Sequence, residues 1–220
     1  MPSTKIIPNS VAEIEAKLKA YFGDMVKIEF LENCLKQLLP NDAKRFCHLK
    51  LAELYANRLM WSSAAENMEL AAETAVTFKD KISFYMKEIS YLIKISDFLM
   101  IDKAFKKALL CANTNTEKET IKQTLKLQLM EQAEDYEKKN KRSNAIQLYQ
   151  RLLEMPITSE TEKRHLIEKL AGLNSKLGRI KEAIHYETLA KKPLEPKKNL
   201  DEDGKEVKKL SFEDLGIEWA

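Results

Sequence analysis

Glycine and proline are scarce, with 5 and 6 among 220 residues, and none of either falls between Asn41 and Met155. A many-stranded β-sandwich needs glycine at its turns, so that architecture is excluded, and a long glycine- and proline-free span reads as mostly helix. Long apolar runs are missing as well. The most apolar short stretch, Phe98 to Ile101, is closed by Asp97 and Asp102, far short of the ~20 residues that cross a bilayer. The first ten residues hold one lysine and two prolines, with Glu13 and Glu15 following. No apolar core of a secretory signal is present there, and a cytoplasmic location is the expectation.

Charge of one sign is also missing. The chain carries 37 Lys and Arg against 34 Asp and Glu, a net +3, a balance that does not by itself imply nucleic acid or a membrane. Cys34, Cys47 and Cys111 are odd in number, widely separated and embedded in apolar helical patterns, so they read as reduced packing thiols. No glycine-rich phosphate loop, nucleophile elbow or zinc-binding HExxH motif occurs. His48 adjoins Cys47, but neighbours on a helix diverge by about 100° and do not face one ion. His165 and His185 sit in polar stretches expected to face solvent. The expectation is a non-enzymatic protein without cofactor or metal.

What is present is helical periodicity. Phe46, Leu49, Ala52 and Tyr55, and again Ile82, Tyr85, Ile89, Leu92 and Ile93, recur at steps of three and four, with no alternating pattern of a strand. Capping residues place the starts: Ser10 with Glu13, Asp24, Asn41, Ser62 or Ser63, Asp97, Thr114 or Thr116, Ser143, Thr158 or Ser159, and the Gly178 break. The predicted helices span 11–25, 25–39, 42–60, 62–77, 79–96, 98–112, 117–140, 142–154, 159–177 and 179–191. They form an all-α fold of about five consecutive antiparallel pairs.

The pairs repeat. Ala64, Ala104, Ala145 and Ala183 stand early in the second helix of successive pairs at a period near 40, the signature of an α-solenoid. Ala71 and Ala190 recur seven residues later and Ala52, Ala133 and Ala171 twelve residues earlier, where close-packed helices require short side chains. Tyr55, Tyr136 and Tyr149 read as packing aromatics, and Met68, Met86 and Met130 as gap fillers.

At these residues the chain resembles the tetratricopeptide repeat superfamily. Leu51, Ala52, Tyr55, Ala64, Met68 and Ala71 match one unit of its motif. Ala133, Tyr136, Ala145, Tyr149 and Pro156 match a second, and Leu170, Ala171, Gly178, Ala183, Ala190 and Pro193 a third. The longer helices look like those of vesicle-fusion adaptor solenoids. The resemblance implies a right-handed superhelix over 11–193, preceded by an N-terminal arm at 1–10, and a protein-interaction scaffold or adaptor whose concave groove takes a peptide or helix. Mapping the family's groove positions gives Glu53, Asn57, Ile93, Glu134 and Lys138 as the candidate partner contacts.

Two further features stand outside the resemblance. Residues 79–151 hold 15 basic and 10 acidic side chains, a local +5, including Lys103, Lys106, Lys107, Lys138, Lys139, Lys141 and Arg142. An RNA- or ribosome-associated factor using that face is therefore the alternative function. Residues 194–209 read as a charged, flexible linker, and 210–220 as a short apolar and acidic motif. There Phe212, Leu215 and Trp219 share one face if helical, a candidate docking segment.

Overall fold

The computed structural model describes residues 10–191, and every element in it is a helix. In order they are α1 (Val11–Ala20), α2 (Asp24–Leu35), α3 (Asn41–Asn57), α4 (Trp61–Glu73), α5 (Phe78–Ile95), α6 (Phe98–Cys111), α7 (Asn115–Lys138), α8 (Arg142–Glu154), α9 (Glu160–Lys176) and α10 (Ile180–Lys191). The protein is all-α, and no strand occurs among the described residues. Residues 192–220, with the linker and the Phe212, Leu215 and Trp219 motif, lie outside them.

The ends follow the chemistry of the flanking residues. Ser10, Thr77, Asp97, Thr114 and Ser159 each accept a hydrogen bond from a backbone N–H of the first turn. At α7 and α9 the bond is reciprocated, Thr114 with Glu117 and Ser159 with Glu162, so each capping box satisfies N–H groups the helix cannot. Three predicted helices overran by four residues or more, α1, α2 and α4, the last ending at Glu73 rather than 77. α1 stops at Ala20 because Tyr21 turns extended ahead of Gly23 at φ 89°. α2 stops at Leu35, short of Pro40 and the extended backbone a proline imposes on its predecessor.

Helices α3 to α6 pack consecutively, each against the next, and α7 with α8 and α9 with α10 form further close pairs. The connections are short, so each close pair reverses direction. The first two helices depart from the expected pairing. α1 lies nearer α3 than α2, and the three share a separate core of Ile14, Leu18, Leu31, Cys34, Cys47 and Leu51. The main core runs from Ala52 on α3 to Leu173 on α9. Ala64, Ala104, Ala145 and Ala183 are all buried in the second helices, where a larger side chain would hold the axes beyond the 8 to 10 Å of close packing.

The within-pair turns are copies of one another. Leu59, Ser96, Asn140 and Gly178 each adopt positive φ, between 56° and 72°. In every turn the next residue's N–H reaches the carbonyl five residues back: Met60 to Tyr55 at 2.9 Å, Asp97 to Leu92 at 3.2 Å, Lys141 to Tyr136 at 2.8 Å and Arg179 to Asn174 at 3.0 Å. This left-handed C-terminal turn satisfies carbonyls that the helix end leaves open.

Polar bridges also join helices two apart in the chain. Lys107 on α6 pairs with Glu69 on α4 at 2.5 Å, and Arg151 on α8 pairs with Asp102 on α6. On α9, Lys169 pairs with Glu137 of α7 at 2.6 Å and Glu162 with Lys126 of α7 at 2.8 Å. Gln150 on α8 donates to the Tyr186 hydroxyl on α10 at 3.0 Å. Each of α4 to α8 is thereby linked to the helix two further on, the α5 to α7 link being the Tyr136 hydrogen bond described below.

Candidate partner-binding cleft

Helices α5 and α7 meet directly, without an intervening helix. Ile82 and Lys79 of α5 share one cleft with Thr116, Glu117, Thr120 and Ile121 of α7, while Ser90, Ile93 and Lys94 share a second with Gln128, Glu131, Gln132 and Asp135. The offset between facing residues is similar at both ends, so the two helices run parallel and the clefts lie along one seam. Their volumes are about 250 and 140 Å³.

The second cleft is the more polar. Lys94 Nζ donates to Gln132 Oε1, and the Tyr136 hydroxyl donates to the Lys94 carbonyl at 2.8 Å, tying the end of α5 to α7. Gln132, only 5% exposed, turns its amide nitrogen to Asp135 Oδ2 at 3.3 Å, and Lys139 donates to the same oxygen at 2.8 Å. The hydrogen bond from Lys139 holds the Asp135 carboxyl below its ordinary range, against the opposing effect of desolvation. Gln128 Oε1 is buried and has no hydrogen-bond partner among the described residues. Glu131 is exposed at the rim. The cleft therefore offers side-chain amides that match a peptide main chain and carboxylates that match a cationic side chain.

The candidate contacts read from sequence divide. Glu53 and Asn57 are exposed on α3, Glu53 paired with Lys50 at 2.8 Å. Glu134 and Lys138 are exposed on the last turns of α7. Ile93 is 1% exposed, part of the main core, and lines the cleft between α5 and α7. Met86 and Ile89 are buried for the same reason, since the parallel seam consumes the apolar face of α5. Sequence reasoning missed Ser90, Lys94, Gln128, Glu131, Gln132 and Asp135. A signal existed in the polar row Gln128, Glu131, Gln132 and Asp135, at steps of three, one and three, beside the apolar row Leu125, Leu129 and Tyr136.

Two charged clusters lie inside the helix stack. Glu137 accepts from Lys169 and from the buried Tyr149 hydroxyl, joining α7, α8 and α9. Burial raises its carboxyl, but those two hydrogen bonds outweigh it and hold Glu137 below the usual carboxylate range. Glu88, 2% exposed on α5, faces Glu69 and Glu73 of α4 and Lys107 of α6, and its Oε2 has no partner among the described residues. Burial pushes Glu88 up to about 8, the Glu69 carboxylate adding to the rise and Lys107 opposing it.

The isolated groups are packing elements. His48 Nδ1 lies 3.0 Å from Asn67 Oδ1, linking α3 to α4. Cys34 and Cys47 are buried, and desolvation lifts the Cys47 thiol to about 12. Among the described residues no group of three His, Cys, Asp or Glu is placed to hold a metal, and no helix is long and apolar enough to cross a membrane. No family model matches the chain, and no curated protein matches it.

Proposed function

We propose that the protein is a non-enzymatic, cytoplasmic interaction scaffold, an α-solenoid of the tetratricopeptide type, that binds an extended peptide along the seam between α5 and α7. The observation that carries this reading is the seam itself: parallel first helices of neighbouring pairs, with a polar cleft at each end and an unsatisfied Gln128 carbonyl in one of them. The recurring turns at Leu59, Ser96, Asn140 and Gly178, the buried alanines and the bridges between helices two apart support a right-handed superhelix of four pairs, α3 to α10. Helices α1 and α2, both packed on α3, cover its first face.

The acid side chains Glu131 and Asp135 make a peptide with a lysine or arginine near its centre the favoured occupant. Affinity selection of a random extended-peptide library on the full chain tests this. Enrichment of basic peptides, lost in the Glu131→Lys, Asp135→Lys double variant with helicity unchanged, is the expected outcome. No enrichment, or enrichment indifferent to the double variant, overturns the reading.

A further inference from the structure

The four within-pair turns share a backbone but not a chemistry. Around the first two a single cation each, Arg58 and Lys94, stands with Met60, Trp61, Asp97, Phe98 and Leu99. Around the last two the cations multiply, with Lys138, Lys139, Lys141 and Arg142 around Asn140, and Lys176 and Arg179 around Gly178. The two turns lie near one another, because Glu137 in the last turn of α7 interacts with Lys176 in the last turn of α9 as well as with Lys169, and α8 packs on α9.

Little inside the protein neutralises these groups. Of the six, Lys139 is held by a carboxylate, Asp135, at 2.8 Å, while Lys141 rests over the Tyr136 ring at 5.9 Å and Arg142 reaches Asn140 Oδ1 at 3.4 Å. Glu137, beside Lys138 on α7, is taken up by Lys169 and Tyr149, with Lys176 near enough to act on its charge. Helix dipoles account for Lys138, Lys139 and Lys176, which stand at C-terminal ends, but not for the other three. Lys141 and Arg142 open α8, the end of a helix where the peptide dipoles disfavour a cation. The neutral side chains between them, Asn140, Ser143, Asn144 and Ser175, are exposed hydrogen-bonding groups.

We infer that this edge, formed by the α7/α8 and α9/α10 turns, binds the phosphate backbone of RNA. Clustered lysine and arginine with interspersed amides and hydroxyls is the chemistry that contacts phosphate and sugar without reading bases. The surface is narrower than the basic stretch evident in the sequence and extends past its end. Lys107 is engaged by Glu69, and Lys103 and Lys106 lie along the middle of α6, away from the turns. Lys176 and Arg179, beyond residue 151, belong to it.

The test is fluorescence anisotropy of the full chain with two unrelated single-stranded RNAs of about 20 nucleotides, titrated at salt concentrations from ~50 to ~200 mM. Both RNAs are expected to bind alike, with affinity falling steeply as salt rises. The variant Lys138→Gln, Lys141→Gln, Arg142→Gln, Arg179→Gln is expected to lose at least about tenfold in affinity and to flatten the salt dependence. The variant Lys103→Gln, Lys106→Gln is expected to match the unmodified protein, and circular dichroism checks that both keep their helices. Absence of RNA binding at low salt, or equal weakening in the two variants, overturns the proposal. So does binding to vesicles of mixed neutral and anionic lipid in preference to RNA, abolished by Ile180→Ser with Ile184→Ser. Those two isoleucines, 57% and 56% exposed on α10, are the side chains a membrane would take up.

Discussion

At the scale of single residues, two positions carry costs that measurement will expose. Leu59 sits at φ 60° with its side chain 69% exposed, so it bears the left-handed penalty of an L-residue while packing little. Gly178 holds the equivalent turn of the last pair without that penalty. Leu59→Gly is expected to stabilise the protein by about 0.5 to 1 kcal/mol, seen as a higher urea midpoint. Glu88 is the second position. The unfolded chain releases its proton near 4.5, whereas the folded protein keeps it to about 8. Between those values the folded state binds more protons, so stability from this group is full below about pH 4.5 and is lost as pH rises through about 8. Lys107, Glu69, Glu73 and Tyr85 surround it, and Glu88→Gln leaves their charges in place. The variant is expected to flatten the fall in stability across that window, and to be more stable than the parent at pH 8.5 by about 1 to 3 kcal/mol, the cost of a buried unpaired group. Urea melts at a series of pH values decide it.

At the scale of helices, the spacing of small side chains controls how closely pairs approach. Ala64 and Ala145 are fully buried at equivalent places in α4 and α8. Ala145→Leu or Ala64→Leu forces the axes apart and is expected to cost ~1 to 3 kcal/mol, read from thermal melts. Their period was legible in sequence because the requirement is local: a side chain facing a neighbouring backbone must be small wherever the hairpin closes. Four helix starts were legible for a related reason, since Ser10, Asp97, Thr114 and Ser159 bond to N–H groups three residues ahead, while α3, α4 and α8 begin without the side-chain caps expected at Asn41, Ser62 or Ser63, and Ser143. The pairing of α1 with α2 was not. It depends on whether Ile14 and Leu18 find more apolar surface on α2 or on α3, a comparison between partners distant in sequence. The seam of α5 and α7 was hidden for the same reason, and Ile93 reads as accessible until α7 is laid against it.

For the whole molecule, two cores joined at α3 imply uneven stability. Ile14, Leu31 and Cys47 belong to one, while Ile89, Leu129, Tyr149 and Leu170 belong to the other. Amide hydrogen exchange is expected to open α1 and α2 at a lower free energy than α5 to α8, because the end helices bury less surface per residue and helix stacks lose their ends first. Uniform exchange protection from α1 to α8 would show a single cooperative unit instead.

The sequence by itself determined that this protein is helical, roughly where its helices begin and end, and which alanines lie at their contacts. Glycine and proline punctuation, capping groups and apolar spacing act over three to five residues, a range the chain order preserves. Only the tertiary structure decided which polar residues converge. Gln128, Gln132 and Asp135 meet Lys94, and the cations around Asn140 meet those around Gly178, through helix contacts nearly 40 residues apart in the chain. No local preference specifies those meetings, because they follow from how the buried faces of whole helices fill space against one another.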